Sequence, residues 1–201
     1  MNKRKLTLLS AFLLGLMGMS SCSDNEGEAP DEAADTNEIR YAEATYTLEQ
    51  GLLNFIISND NYHNTDVVLT DGSLNVTYIN LGGFLAAQWY PENYGISLDF
   101  SLYAPPGEAL PTGRYTFGGL REDDVRDDPA KAGGMYHAAS FITLDTNGNK
   151  DWDSSDTDIA VTGGFVEVGG TYPDYAVTFD LQLEDGNSLQ GSYQGEYLLD
   201  D

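Results

Sequence analysis

Two stretches of this chain are written to one pattern, and the pattern leaves few folds open. Asn93-Tyr-Gly-Ile-Ser-Leu-Asp-Phe-Ser-Leu102 is echoed by Asp174-Tyr-Ala-Val-Thr-Phe-Asp-Leu-Gln-Leu183. In each, every second residue is apolar: Tyr94, Ile96, Leu98, Phe100 and Leu102, then Tyr175, Val177, Phe179, Leu181 and Leu183. A period of two puts alternate side chains on opposite faces of an extended strand, one face buried and one wet. A loop, a leucine and Gly-x-Tyr follow each copy, as Leu110, Gly113 and Tyr115 and as Leu189, Gly191 and Tyr193. Similar hairpins are therefore expected at both.

Parity sets the turns. Residues opposed in an antiparallel pair share a face. The buried sets before and after residues 184–188 are both odd-numbered, which requires an odd loop. Glu184-Asp185-Gly186, with Gly186 left-handed, fits a type I turn with a bulge. Gly191 and Gly195 leave room for bulky neighbours across the strand. Around Asp71-Gly72 the parity is opposite, with Val67 and Leu69 before the turn and Leu74, Val76 and Tyr78 after it. A two-residue type I′ turn pairing Leu69 with Leu74 is expected there.

Further strands are expected over residues 40–48, 52–58, 84–90, 135–144 and 159–168, with Pro91 ending the third. Residues 118–134 are charged and bounded by glycine pairs, and read as a long solvated insertion with local ion pairs. No stretch has the apolar period of a helix. The expected fold is all-β: an antiparallel β-sandwich or a flattened up-and-down barrel, built of consecutive hairpins.

The N-terminus reads as an address. Lys3, Arg4 and Lys5 precede an apolar run from Leu6 to Met19 that is short for a permanent membrane span, and Ser20-Ser21-Cys22 closes it. This ending resembles a bacterial lipobox, and the resemblance implies that residues 1–22 are a lipoprotein signal peptide, with Cys22 as the lipidation site and the anchor to the membrane. Cys22 is the only cysteine, so no intramolecular disulfide can form. Residues 23–38 hold acids and small residues but no aromatic, the composition of a disordered acidic tether. Residues 39–201 are left as a single all-β domain. The formal charge of −24 argues against nucleic acid as a partner.

Ser21-Cys22 followed by acids, Leu110-Pro-Thr-Gly-Arg-Tyr115, and Tyr175-Ala-Val-Thr-Phe-Asp-Leu with Gly191-Ser-Tyr-Gln-Gly195 resemble surface lipoproteins of Bacteroidota that carry one small β-domain. The resemblance implies an outer-membrane lipoprotein facing the cell exterior, with the periplasm as the alternative side. It brings no catalytic residues with it.

Chemistry is sparse. His63 and His137 are the only histidines, and neither a Gly-x-Ser-x-Gly elbow nor a spare thiol is present, so no enzyme is expected. Asp145, Asn147, Asn149, Asp151, Asp153 and Asp156 place oxygens at the spacing of an EF-hand-like calcium loop. Lys150 stands where glycine normally permits the turn, and Asp156 replaces the bidentate glutamate. The same residues suit a plain turn-rich hairpin loop. Trp89, Tyr90 and Trp152 form the expected ligand-binding set, because aromatic faces stack on sugar rings. Tyr62, Tyr94 and Tyr136 are further aromatics near strand ends, and all six also suit a core or its rim.

These residues point to a cell-envelope binding module recognising a glycan or a protein. A purely structural or assembly role is the alternative, and a polysaccharide-active enzyme the third reading.

Overall fold

The computed structural model describes residues 37–59, 62–81, 84–107 and 110–200. The expected signal peptide with Cys22, and nearly all of the expected acidic tether, lie outside them.

Thirteen strands are described: β1 (Glu38–Tyr41), β2 (Ala44–Thr47), β3 (Gln50–Asn59), β4 (Tyr62–Thr70), β5 (Ser73–Leu81), β6 (Phe84–Glu92), β7 (Ile96–Ala104), β8 (Gly113–Gly119), β9 (Tyr136–Leu144), β10 (Thr157–Thr171), β11 (Asp174–Leu183), β12 (Ser188–Gln194) and β13 (Tyr197–Asp200). One short helix, α1 (Asp123–Arg126), and a 3-10 turn, Pro129–Lys131, sit between β8 and β9. The fold is all-β.

Eleven strands form one sheet in the order β13-β3-β4-β7-β9-β8-β10-β11-β12-β1-β2, and β5 and β6 pair only with each other. Most neighbours are antiparallel. Two pairs, β13 with β3 and β8 with β9, are parallel, so the sheet is mixed.

The sheet curls around one buried face. Its core gathers Leu53, Val67, Leu98, Phe100, Ile142, Val166, Phe179, Leu189 and Tyr197 from eight of the strands. All five apolar positions of each echoed strand are buried. The two copies meet in the middle: the Phe100 and Phe179 rings lie 5.3 Å apart, although three strands separate β7 from β11 along the sheet.

The β11–β12 hairpin has the expected register. Leu181 opposes Leu189, the loop is 184–186, and Gly186 is left-handed at φ +87°. Gly191 lies opposite Phe179, where a Cβ would fall 2.8 Å from the ring.

Two expected hairpins are not formed. Leu69 does not pair with Leu74. It faces Leu98 on β7 and Gly51 on β3, while Leu74 faces Pro91 on β6. Asp71 accounts for the difference locally, since its Oδ1 accepts the amides of Gly95 (2.8 Å) and Ile96 (2.9 Å) and ties this corner to the start of β7. The chain then leaves the sheet, and β5–β6 crosses its outer face. Pro91 sits inside β6, where the two-stranded ribbon can spare an amide. The first echo copy also lacks its hairpin, because β9 takes the place beside β7 and pushes β8 one position further along.

Candidate functional site

The outer face of β3, β4, β7 and β9 can be read as rows of cross-strand neighbours. One row runs Leu52, Val68, Asp99 and Phe141, and the next runs Gln50, Thr70, Ser97, Thr143 and Asp158. Toward the other end lies Asn54, Asp66, Ser101 and Ala138.

Two separate covers lie on this face. The β5–β6 ribbon packs Leu74, Val76 and Trp89 on Leu52 and Val68. At the far end α1 drops Val125, fully buried, among Tyr62, Tyr103, Ala138 and Tyr136. The segment 118–134 therefore carries the expected surface ion pairs, Arg126 with Glu122, Asp123 and Asp127, but also one apolar plug.

Between the covers a cavity of ≈ 230 Å³ remains. Its floor is Ser97, Leu98, Asp99, Phe141, Thr143 and Asp158, and its walls are Trp89, Pro91 and Trp152. Trp89 is partly packed on the apolar row beneath it. Trp152 is 54% exposed and stands at the rim. Tyr90 is one residue out of phase with Trp89 and Pro91 and does not line the cavity.

The remaining aromatics separate cleanly. Tyr62 and Tyr136 lie under α1. Tyr94 is wholly buried, and its hydroxyl donates to Asp156 Oδ2 at 2.6 Å.

A bulge shapes the floor. Two residues of β9, Ala139 and Ser140, oppose Phe100 alone, between the Asp99–Phe141 and Ser101–Ala138 pairs. Ala139 is left-handed at φ +51°. The extra residue switches faces along β9. His137 shares a face with Leu102 and stacks near Phe117, whereas Phe141 and Thr143 line the cavity. Burial holds the His137 imidazole down at about 4, so it is a neutral core group.

The carboxyls of the floor are unusual. Asp99 Oδ1 has no contact with solvent and meets no hydrogen-bond donor among the described residues. Burial, and then the neighbouring Asp66, push its carboxyl well above the ordinary range. Asp66 sits diagonally across on β4. Burial raises it to about 6, against the pull of the Ser101 hydroxyl at 2.8 Å. Asp158 accepts from the Thr143 hydroxyl at 2.7 Å. Sequence reasoning missed Asp99, because alternation assigns it to a wet face.

The loop after β9 holds Trp152 in place by a network of Asx-type bonds. Asp145 accepts the amides of Gly148 (2.8 Å) and Lys150 (2.9 Å). Asn147 and Asn149 each cap the amide two residues on, at 2.7 Å and 2.9 Å. Asp153 accepts from Ser155 and from both asparagine side chains, and these bonds hold it down at about 2. Lys150 is left-handed at φ +63°, at the position where glycine was missed. Asp151 forms an isolated bridge with Glu92, and the Lys150 carbonyl accepts from Asn93, so the loop is tied to the end of β6. Five of the six expected calcium ligands thus spend oxygens on local donors. No group of three or more acidic, histidine or cysteine side chains converges for a metal among the described residues.

No protein-family model, no curated protein and no solved structure matches this chain.

Proposed function

We propose that the chain is a lipid-anchored envelope binding module that takes a sugar ring into the cavity between Trp89 and Trp152. One observation carries the reading: two tryptophans far apart in sequence converge on one concave site with carboxyls in its floor. Sugar rings present apolar faces to indoles and hydroxyls to acceptors, and small-molecule sites pair apolar walls with few polar groups in this way. A volume of ≈ 230 Å³ suits a small ligand, of the order of one ring, better than a protein segment. We also take the curled sheet to be a flattened barrel, supported by the contact of Phe100 with Phe179 across its interior.

The test is a glycan array probed with the intact chain and with Trp152→Ala. Binding to one group of glycans, reduced at least about tenfold by the substitution, is expected. A blank array, or binding untouched by Trp152→Ala, removes the reading. Attachment to the envelope rests on Ser21-Cys22 and the acids that follow. Cys22→Ala is expected to move the protein out of the membrane fraction.

Hydrolysis of a polysaccharide at the same cavity is the second reading, favoured by the presence of Asp99 and Asp158 together in its floor. Release of new reducing ends from a glycan bound on the array would establish it.

A further inference from the structure

We infer that the ring held between Trp89 and Trp152 carries a protonated amine, received by the carboxylates of Asp99 and Asp158. This rests on the sugar-binding reading and names the chemical class of its ligand.

Four observations lead to it. The residues lining the cavity include two aspartates and two tryptophans but no lysine, arginine or histidine. The charges nearest the floor are negative as well: Asp66 lies beside Asp99, and Glu122 adds to the field at Asp66. The basic groups near this face are engaged elsewhere, Arg126 with Glu122, Asp123 and Asp127, and Lys131 with Asp128 and the carbonyl of Asp124. Lys150 lies on the exposed loop that carries Trp152 and does not line the cavity. Asp99 Oδ1, finally, has no donor of its own.

A buried carboxyl without a donor or a counter-charge is costly, and it keeps its proton to lower that cost. A cation entering the cavity changes the balance. A metal fits the site poorly, because calcium wants six to eight oxygens and no group of three candidate ligands converges among the described residues. An ammonium asks for less. It offers three N–H donors to two carboxylates, and its charge is attracted to the faces of the indoles that wall the site. Ring and amine are then held by different parts of one cavity, the ring by tryptophan and the amine by aspartate.

The two kinds of ligand differ in proton balance. An ammonium favours the ionised form of Asp99, so binding expels a proton and tightens as the pH rises. A neutral sugar uses Asp99 as a protonated donor, and its binding weakens as the pH rises.

The experiment is calorimetric titration of the intact chain with D-glucosamine, D-glucose and N-acetyl-D-glucosamine. Each titration is run near pH 5 and near pH 7 in two buffers of different ionisation enthalpy. Glucosamine is expected to bind at least about tenfold tighter than the other two near pH 7, with net proton release. Asp99→Asn should erase that preference, while Trp152→Ala weakens all three sugars. Equal affinity for the three sugars overturns the amine and leaves the sugar site standing. A glucosamine preference that survives Asp99→Asn, or no binding of any of the three, also overturns it. Failure of the sugar reading itself is read separately, from the glycan array.

Discussion

Asp99 and Asp180 occupy the same place in the two echoed strands, each between two apolar core positions, and their surroundings could hardly differ more. In β11 the alternation is clean: Tyr175, Val177, Phe179, Leu181 and Leu183 point in, while Thr178, Asp180 and Gln182 are exposed. In β7 the same inner face is buried, but Ser97, Ser101 and Tyr103 on the outer face are buried too. Asp180 sits in water, whereas Asp99 floors a cavity without a donor for its Oδ1. One pattern, used twice, built the interior of the domain. The site arose where a cover was laid over the other side of one copy.

The comparison breaks most readily at the shared inner face. Leu98 and Phe179 stand at equivalent positions and are 0% and 3% exposed. Leu98→Ala and Phe179→Ala are each expected to cost about 2–5 kcal/mol in denaturant unfolding, the usual range for large-to-small changes in a packed core. A loss below about 1 kcal/mol in one copy only would mean that the copies do not share one core.

The turn at 184–186 was legible because it is local. Parity and Gly186 decide it without reference to the rest of the chain. The turn at Asp71-Gly72 obeyed the same arithmetic and still failed, because β4 finds its neighbours in β3 and β7 and leaves none of its edge for β5. The first echo copy lost its hairpin in the same way, to a strand that comes later in the chain. Pairings set by distant segments leave no trace in a window of ten residues.

The site was legible in its walls and not in its floor. Trp89 and Trp152 stood out as aromatics near strand ends, although only the fold brings them to one cavity. Asp99 looked like any wet-face acid. A signal was present: Ser97 and Ser101 are small, and Tyr103 is large and amphipathic, where the second copy carries Thr178, Gln182 and Glu184. Small residues on an outer face leave space for a cover. The loop oxygens at 145–156 bond to backbone amides and so hold the tip that carries Trp152.

The two aspartates sharpen the comparison through pH. The folded-state affinity of Asp66 for its proton is raised to about 6, and that of Asp99 is raised as well, both chiefly by burial. An unfolded aspartate titrates near about 3.9. Below about pH 4 both states hold the protons, and the pair adds no cost. As the pH rises through the unfolded value and past about 6, the unfolded chain ionises freely, while the folded chain must keep a proton or bury a charge. Stability attributable to the pair therefore falls with rising pH across that window. Asp99→Asn removes one of the two carboxyls and relieves the other. It is expected to raise stability near pH 8 by about 1–2 kcal/mol, and to change it little near pH 4. Removing any negative charge from a chain of formal charge −24 eases general repulsion, so the gain needs a matched control. Asp180→Asn removes the same charge from the same position of the other copy. It is expected to shift stability by less than about 0.5 kcal/mol at either pH. Thermal unfolding of the two variants beside the parent, at both pH values, decides the matter. Equal gains would trace the effect to net charge, and a loss for Asp99→Asn near pH 8 would show that its carboxylate is needed in the folded floor.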